Sequence, residues 1–213
     1  MKSILYLIII VIPFNILAQK PTDTELWTGG TINFKLTKRF ALDVSEQVRF
    51  DNNISSYKKS FTNIGLKIKL NKHFSLKPSY RFIALPISTF DHRVSLDGYY
   101  KWKKKKIPLS FSYRMRFQHQ FVSSKSYLRN KLTMGYNLSK LVDPFFAYEI
   151  FFRFNGKNEF RVSRFTLGLD WKINKRVGLT SYYRLQDDIF IKKPKRQHII
   201  GIMLNYKIKS KKR

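Results

Sequence analysis

Along residues 109–117 every second position is large and apolar: Leu109, Phe111, Tyr113, Met115 and Phe117. Between them stand Ser110, Ser112, Arg114 and Arg116, and Gln118 and Gln120 continue the polar row. A helix would scatter both classes around its circumference, so a period of two over this length predicts one long β-strand with an apolar and a charged face. The same alternation recurs from residue 25 onward. It divides the chain into segments 25–36, 40–50, 61–70, 74–84, 92–102, 109–121, 128–138, 144–154, 162–171, 177–185 and 198–208. Two blemishes stand out. Glu46 interrupts an apolar face, and Pro78 sits inside a segment although proline donates nothing to a strand ladder.

The connections fall into two alternating series. Residues 37–39, 71–73, 103–108, 139–143 and 172–176 are short, whereas 51–60, 85–91, 122–126, 155–159 and 186–197 read as longer or more polar. Transmembrane β-barrels place short turns at the periplasmic rim and longer loops outside. The fold expected is therefore all-β, an antiparallel transmembrane β-barrel of about 10–12 strands. Single-chain bacterial barrels have an even strand number, and segment 25–36 is the odd one, entering from the wrong side. Either it is no ordinary wall strand or another strand precedes it.

A soluble sandwich also alternates, with its apolar face inward. Here the apolar faces carry several large residues each, with few small ones to fit a closed core. Aromatic residues also cluster at segment ends, Phe40, Phe74, Trp102 and Trp171 at one end and Phe50, Phe82, Phe117 and Phe154 towards the other, like two interfacial girdles. At the N-terminus, Lys2, an apolar run over 4–12, the breakers Pro13 and Asn15, and Ala18 before Gln19 read as a signal peptide over 1–18. That run is too short to span a bilayer as a helix. The domain division is thus 1–18 signal peptide and 19–213 barrel, with the cell outer membrane of a Gram-negative-type bacterium as the address. Cysteine is absent, which removes disulfides, thiolate metal sites and thiol nucleophiles. The closing glycine with alternating Leu204, Tyr206 and Ile208 is similar to the C-terminal signal read by barrel-assembly machinery, although a basic tail follows.

Four stretches carry a family resemblance: Glu25-Leu-Trp27, Pro144-Phe-Phe-Ala-Tyr-Glu149, Arg164-Phe-Thr-Leu-Gly-Leu-Asp170 and His198-Ile-Ile-Gly-Ile-Met-Leu-Asn-Tyr206. Together they resemble the uncharacterised outer-membrane β-barrel family catalogued as domain of unknown function 2490. The resemblance covers nearly the whole mature chain. It implies an outer-membrane barrel and brings no activity with it.

Charge changes the picture most. Lys and Arg number 42 against 13 Asp and Glu, a formal net charge of +29. If the apolar face meets lipid, the other face is the lumen, and its cations are Arg49, Lys67, Lys77, Arg81, Arg93, Lys101, Arg114, Arg116, Arg129, Lys131, Arg153 and Arg184. The lumen carboxylates are Asp43, Asp97, Glu149 and Asp170. Rings of Arg and Lys favour anions in a pore, while a small barrel can instead be filled by its side chains. Arg114 and Arg116 are the cations whose removal best tests an anion pore. The remaining cations crowd the turns and tail and suit anionic headgroups. Nucleic acid, the rival partner of so basic a chain, fits poorly with export and two-faced strands.

Catalytic signals are sparse. His73-Phe74-Ser75 has a His-x-Ser spacing on the lumen side, the wrong side for a lipid substrate, and no carboxylate is evident beside it. His119 shares the outward face with Glu46, a pairing the sequence leaves open. Asp187-Asp188 reads as a solvated loop pair, not a calcium site. No metal or cofactor is expected. Three functions compete: a noncatalytic barrel with a basic lumen, structural or anion-favouring; a lipid-modifying enzyme of phospholipase or lipid A deacylase type; and an exported soluble β-protein that binds polyanions.

Overall fold

A computed structural model describes residues 21–103, 107–155 and 158–209. The expected signal peptide, the turn residues 104–106 and the end of the basic tail at 210–213 lie outside the described residues. The strands are β1 (Thr22–Lys35), β2 (Phe40–Asp51), β3 (Ser56–Lys69), β4 (Phe74–Leu85), β5 (Thr89–Lys103), β6 (Leu109–Gln120), β7 (Lys125–Tyr136), β8 (Val142–Phe154), β9 (Glu159–Lys172), β10 (Val177–Asp188) and β11 (Arg196–Lys209). Each strand pairs with its neighbours in sequence, and β1 closes the barrel on β11. The described residues contain no helix, so none is long and apolar enough to cross a membrane, which says nothing of strands.

The odd segment is an ordinary wall strand. β1 pairs antiparallel with β2 from Leu26↔Phe50 to Lys35↔Ala41, and parallel with β11 from Thr22↔Arg196 to Lys35↔Lys209. In an up-and-down set with an odd number of strands, first and last point the same way, so closure must be parallel. The expectation of an even number fails because that parallel ladder satisfies both edges, and no further strand is required.

The expected difference in loop length also fails. Strands run further than the apolar alternation did, because polar residues continue the ladders towards the rims. The connections 52–55, 86–88, 121–124 and 155–158 are as short as 36–39, 70–73, 104–108, 137–141 and 173–176; only 189–195 stands out. Asp187 and Asp188 accordingly end β10 and do not lie in a loop, with Asp187 paired to Arg196 Nε at 2.8 Å.

The rims differ in chemistry instead. At one, a side-chain oxygen caps each described turn. Thr37 Oγ1 accepts from the backbone N–H of Phe40 (3.0 Å), Asn71 Oδ1 from Phe74 (2.8 Å), Ser139 Oγ from Val142 (3.0 Å) and Asn174 Oδ1 from Val177 (2.8 Å). Each capping residue is followed by a lysine, Lys38, Lys72, Lys140 and Lys175, so these are four versions of one Asx/ST turn. At the opposite rim lie the non-glycine residues with left-handed backbone: Asn52, Asn53, Ile54, Ile87, Ser88, Ser124, Asn155, Asn158 and Phe190.

The wall is inside-out relative to a soluble domain. Outward side chains such as Phe74 (50%), Leu96 (51%), Phe117 (49%) and Leu167 (61%) are exposed. The buried set instead includes Glu25, Asp91, Asp97, Arg129 and Glu149. Two glycines let the inner face pack closely. A Cβ at Gly29 would lie 2.1 Å from the Glu46 carbonyl oxygen, so any side chain there would push β1 off β2. Gly201 is covered by its cross-strand partner Tyr182, whose ring would lie 2.0 Å from an added Cβ.

Candidate functional site

The largest set of charged side chains meets inside the barrel. Alternation aims one residue in two inward, and closure turns those rows towards each other. They surround a cavity of about 540 Å³ whose lining includes Trp27, Arg49, Lys59, Phe61, Arg81, Arg93, Arg114, Arg116, Arg129, Lys131, Glu149, Arg164, Tyr182 and Arg184. Ser123 and Lys125 bring it up to the 121–124 connection at the rim opposite the capped turns. Two smaller cavities, about 520 and 450 Å³, lie towards the capped rim, and Lys67 and Asp170 line the first of them.

One side of the large cavity is neutralised. Asp97, fully buried, accepts from Arg116 Nε (2.5 Å) and Nη2 (2.7 Å) and from the Tyr99 hydroxyl (2.9 Å). This is a two-point guanidinium–carboxylate fork, the strongest form of such a pair. Glu149 Oε1 accepts from Arg129 Nε (3.1 Å) and Nη2 (2.9 Å) and from Arg114 Nη2, and Arg164 Nη1 stands 3.6 Å from Oε2. Arg129 also donates to Gln118 (3.0 Å). One carboxylate thus serves three guanidinium groups.

The other side makes no direct ion pairs. Arg49 gives Nε and Nη2 to Gln47 Oε1 (2.9 and 2.8 Å) and lies 3.5 Å over the Trp27 ring. Arg81 gives Nε to Asn63 (3.3 Å) and lies 3.8 Å over Phe61. Arg184 gives Nε to Thr166 (2.9 Å), with Tyr182 at 4.6 Å and Trp27 at 5.1 Å. Arg93 donates to Gln120, and its Nε is buried without a partner. All 13 acidic residues fall within the described residues, and none makes a salt bridge to Arg49, Arg81, Arg93, Arg184, Lys59 or Lys131.

The residues singled out from sequence therefore separate. Arg49, Arg81, Arg93, Arg114, Arg116, Arg129, Lys131, Arg184 and Glu149 border the large cavity, with Asp97 behind Arg116. Lys67 lies lower, and Asp43 pairs with Lys77 at 2.6 Å. Asp170 accepts from Thr180 at 2.6 Å, and Arg153 has a buried Nε without a partner. Arg114 and Arg116, chosen as the test of a pore, are ion-paired, so the unneutralised Arg49 and Arg81 are the better probes. Sequence reasoning missed Arg164, Lys59, Trp27 and Glu25. Alternation already put Arg164 on the inner face. Lys59 stands on the same alternation as Phe61, Asn63 and Lys67, just before the segment read as a strand, and the register shift falls beyond it, at Lys58. Glu25 is buried, accepting from Trp27 Nε1 (2.7 Å), Lys58 (2.5 Å) and Gln197 (2.5 Å).

The histidines sit apart from this cavity. His73 Nδ1 donates to the Lys101 carbonyl at 2.9 Å. His92 meets the Tyr80 hydroxyl and His198 that of Tyr183, each at 2.5 Å. His119 Nδ1 stands 2.9 Å from Ser126 Oγ across the β6–β7 ladder, and Glu46 pairs with Thr62, so the suggested His119–Glu46 contact does not form. Among the described residues no group of three or more His, Asp or Glu is placed to hold a metal.

Fold and interior define the class: closed up-and-down β-barrels with a charged interior. Within it, the chain belongs to the family described as protein of unknown function DUF2490, whose model matches residues 24–211. No curated protein matches the chain. The stretches that carried the resemblance contribute Trp27, Glu149 and Arg164 to the large cavity, and Glu25 beside it.

Proposed function

We propose that this chain is a noncatalytic outer-membrane β-barrel whose basic lumen favours small anions. One observation carries the reading, the sidedness of the wall: large apolar side chains exposed outward, charged side chains buried inward. A bilayer would cover the outward face, and closure leaves no strand edge to be satisfied in lipid. In this reading residues 1–18 are the signal peptide. The outward aromatics meet the lipid interfaces, and the C-terminal strand engages the barrel-assembly machinery. Inside, the unneutralised arginines set an electrostatic preference for anions. Planar-bilayer recording under a salt gradient tests this. Reversal potentials should report anion over cation preference, and Arg49→Gln with Arg81→Gln should reduce it. Cation preference, or no conductance, sinks the anion-favouring version. A heat-modifiability gel and detergent extraction test the membrane barrel itself; release by carbonate without detergent would indicate the soluble polyanion-binding alternative.

A second reading, a lipid acyl hydrolase, rests on the outward His119–Ser126 pair. Two features oppose it: Ser126 is only 8% exposed, and no carboxylate hydrogen-bonds to His119 among the described residues. Phospholipid and lipid A cleavage assays with Ser126→Ala decide it, since activity abolished by that change would replace the noncatalytic reading.

A further inference from the structure

We infer that the large cavity is a binding site for a soluble oxyanion of the polyphosphate class, one carrying at least two phosphate groups. The inference extends the anion-favouring reading but does not require conduction. Its basis is how four guanidinium groups are held. Arg49 lies 3.5 Å over Trp27, Arg81 lies 3.8 Å over Phe61, and Arg184 faces Tyr182 at 4.6 Å. Stacking fixes a guanidinium by its face and leaves N–H edges for hydrogen bonding. Each of the three also spends Nε on a neutral oxygen, from Gln47, Asn63 or Thr166, which orients the group without neutralising it. Arg93, the fourth, keeps a buried Nε with no partner at all. A buried cation without a counterion is costly, and an anion that accepts from several guanidinium groups removes that cost.

Size and access narrow the ligand. The cavity of about 540 Å³ is in the range of small-molecule sites. A single carboxylate offers too few acceptors for four arginines, whereas linked phosphates offer several oxygens each. The strands close into a barrel, so a lipid phosphate tethered to acyl chains has no lateral entry, and Ser123 brings the cavity to the rim opposite the capped turns. The source is therefore a free anion.

Trp27 provides the readout. The chain has three tryptophans; Trp27 lines the cavity, whereas Trp102 and Trp171 stand on the outward face. In a Trp102→Phe, Trp171→Phe background, fluorescence titrated with inorganic pyrophosphate at about 0.15 M salt should change saturably, with chloride and sulfate much weaker. Arg49→Gln and Arg81→Gln should each weaken pyrophosphate about tenfold. Arg81→Lys should recover only part of that loss, because it keeps the charge and lacks the fork. Lys38→Gln, on the capped rim, should change nothing. Heat-modifiability of each variant verifies that it is folded. Absence of saturable pyrophosphate binding by the folded parent, or equal binding by folded Arg49→Gln and Arg81→Gln, overturns the site. Reversal potentials on the same preparation separate the two claims. Anion preference without pyrophosphate binding overturns the site alone, and cation preference without binding overturns both.

Discussion

Two sides of one cavity solve the same problem differently. Around β5–β9, cations are matched to carboxylates: Asp97 takes Arg116, and Glu149 takes Arg114, Arg129 and Arg164. Around β1–β5 and β10, Arg49, Arg81 and Arg184 are held by ring faces and amide or hydroxyl oxygens and Arg93 by Gln120, none of them in a direct ion pair with a carboxylate. Buried ion pairs of the first kind serve structure, because taking away one partner strands the other. Cations of the second kind add little to the stability of the barrel itself and keep N–H edges free for a ligand. On the proposed reading the interior is partly scaffold and partly site, although both parts look alike as a row of inward arginines.

The largest effect is expected at Glu149. Glu149→Gln leaves three guanidinium groups around a neutral amide and should cost about 3–5 kcal/mol, the range for a broken buried pair. Equilibrium unfolding in urea, followed by heat-modifiability or tryptophan fluorescence, measures it. Asp97→Asn should cost less, about 2–3 kcal/mol, because it strands one guanidinium group, Arg116, where Glu149→Gln strands three. If either variant unfolds with the wild type, the neutralised side is not the scaffold.

The unneutralised side should behave oppositely. Arg49→Gln and Arg81→Gln each remove a cation–π contact worth about 0.5–2 kcal/mol. They also relieve a buried charge whose desolvation costs several kcal/mol. The net should lie between neutral and about 1 kcal/mol stabilising by the same urea measurement. A loss above about 2 kcal/mol would mean these arginines are built into the structure as firmly as Arg116 is, and the comparison would collapse.

Much of this architecture was legible in period-two alternation, which is set residue by residue. The stretch 109–121 emerged as β6 over Leu109–Gln120, inner and outer rows intact, because nothing along it interrupts the pleat, and only Phe121 passes into the turn. Strand ends were less legible. Polar residues such as Ser56, Lys59 and Lys125 extend the ladders, and their pairing depends on the partner strand. The parallel β1–β11 closure joins residues from opposite ends of the sequence, so no local pattern announces it. The same limit applied inside. Alternation placed Arg114 and Arg116 inward, but only the register, Asp97↔Arg116 and Glu149↔Arg164, decides which cations meet a carboxylate. The four capped turns were legible as turns, although their shared oxygen-then-lysine pattern emerges only when they are aligned on the structure.

The smallest expected effect is also the most selective. Salt screens repulsion among unpaired cations and weakens attraction within pairs, and a cavity open at the rim admits ions to do so. Raising sodium chloride from about 0.05 to about 0.5 M shortens the screening distance roughly threefold. Wild type should gain a few tenths of a kcal/mol, because the crowded arginines outnumber the carboxylates beside them. Arg81→Gln should gain less, having fewer like charges to screen, and Asp97→Asn should gain more, having one more uncompensated cation. Urea midpoints at the two salt concentrations give all three values. A salt response of the same size in wild type, Arg81→Gln and Asp97→Asn would show that the rims, not the cavity, hold the charge that matters, and the division of the interior would lose its electrostatic basis.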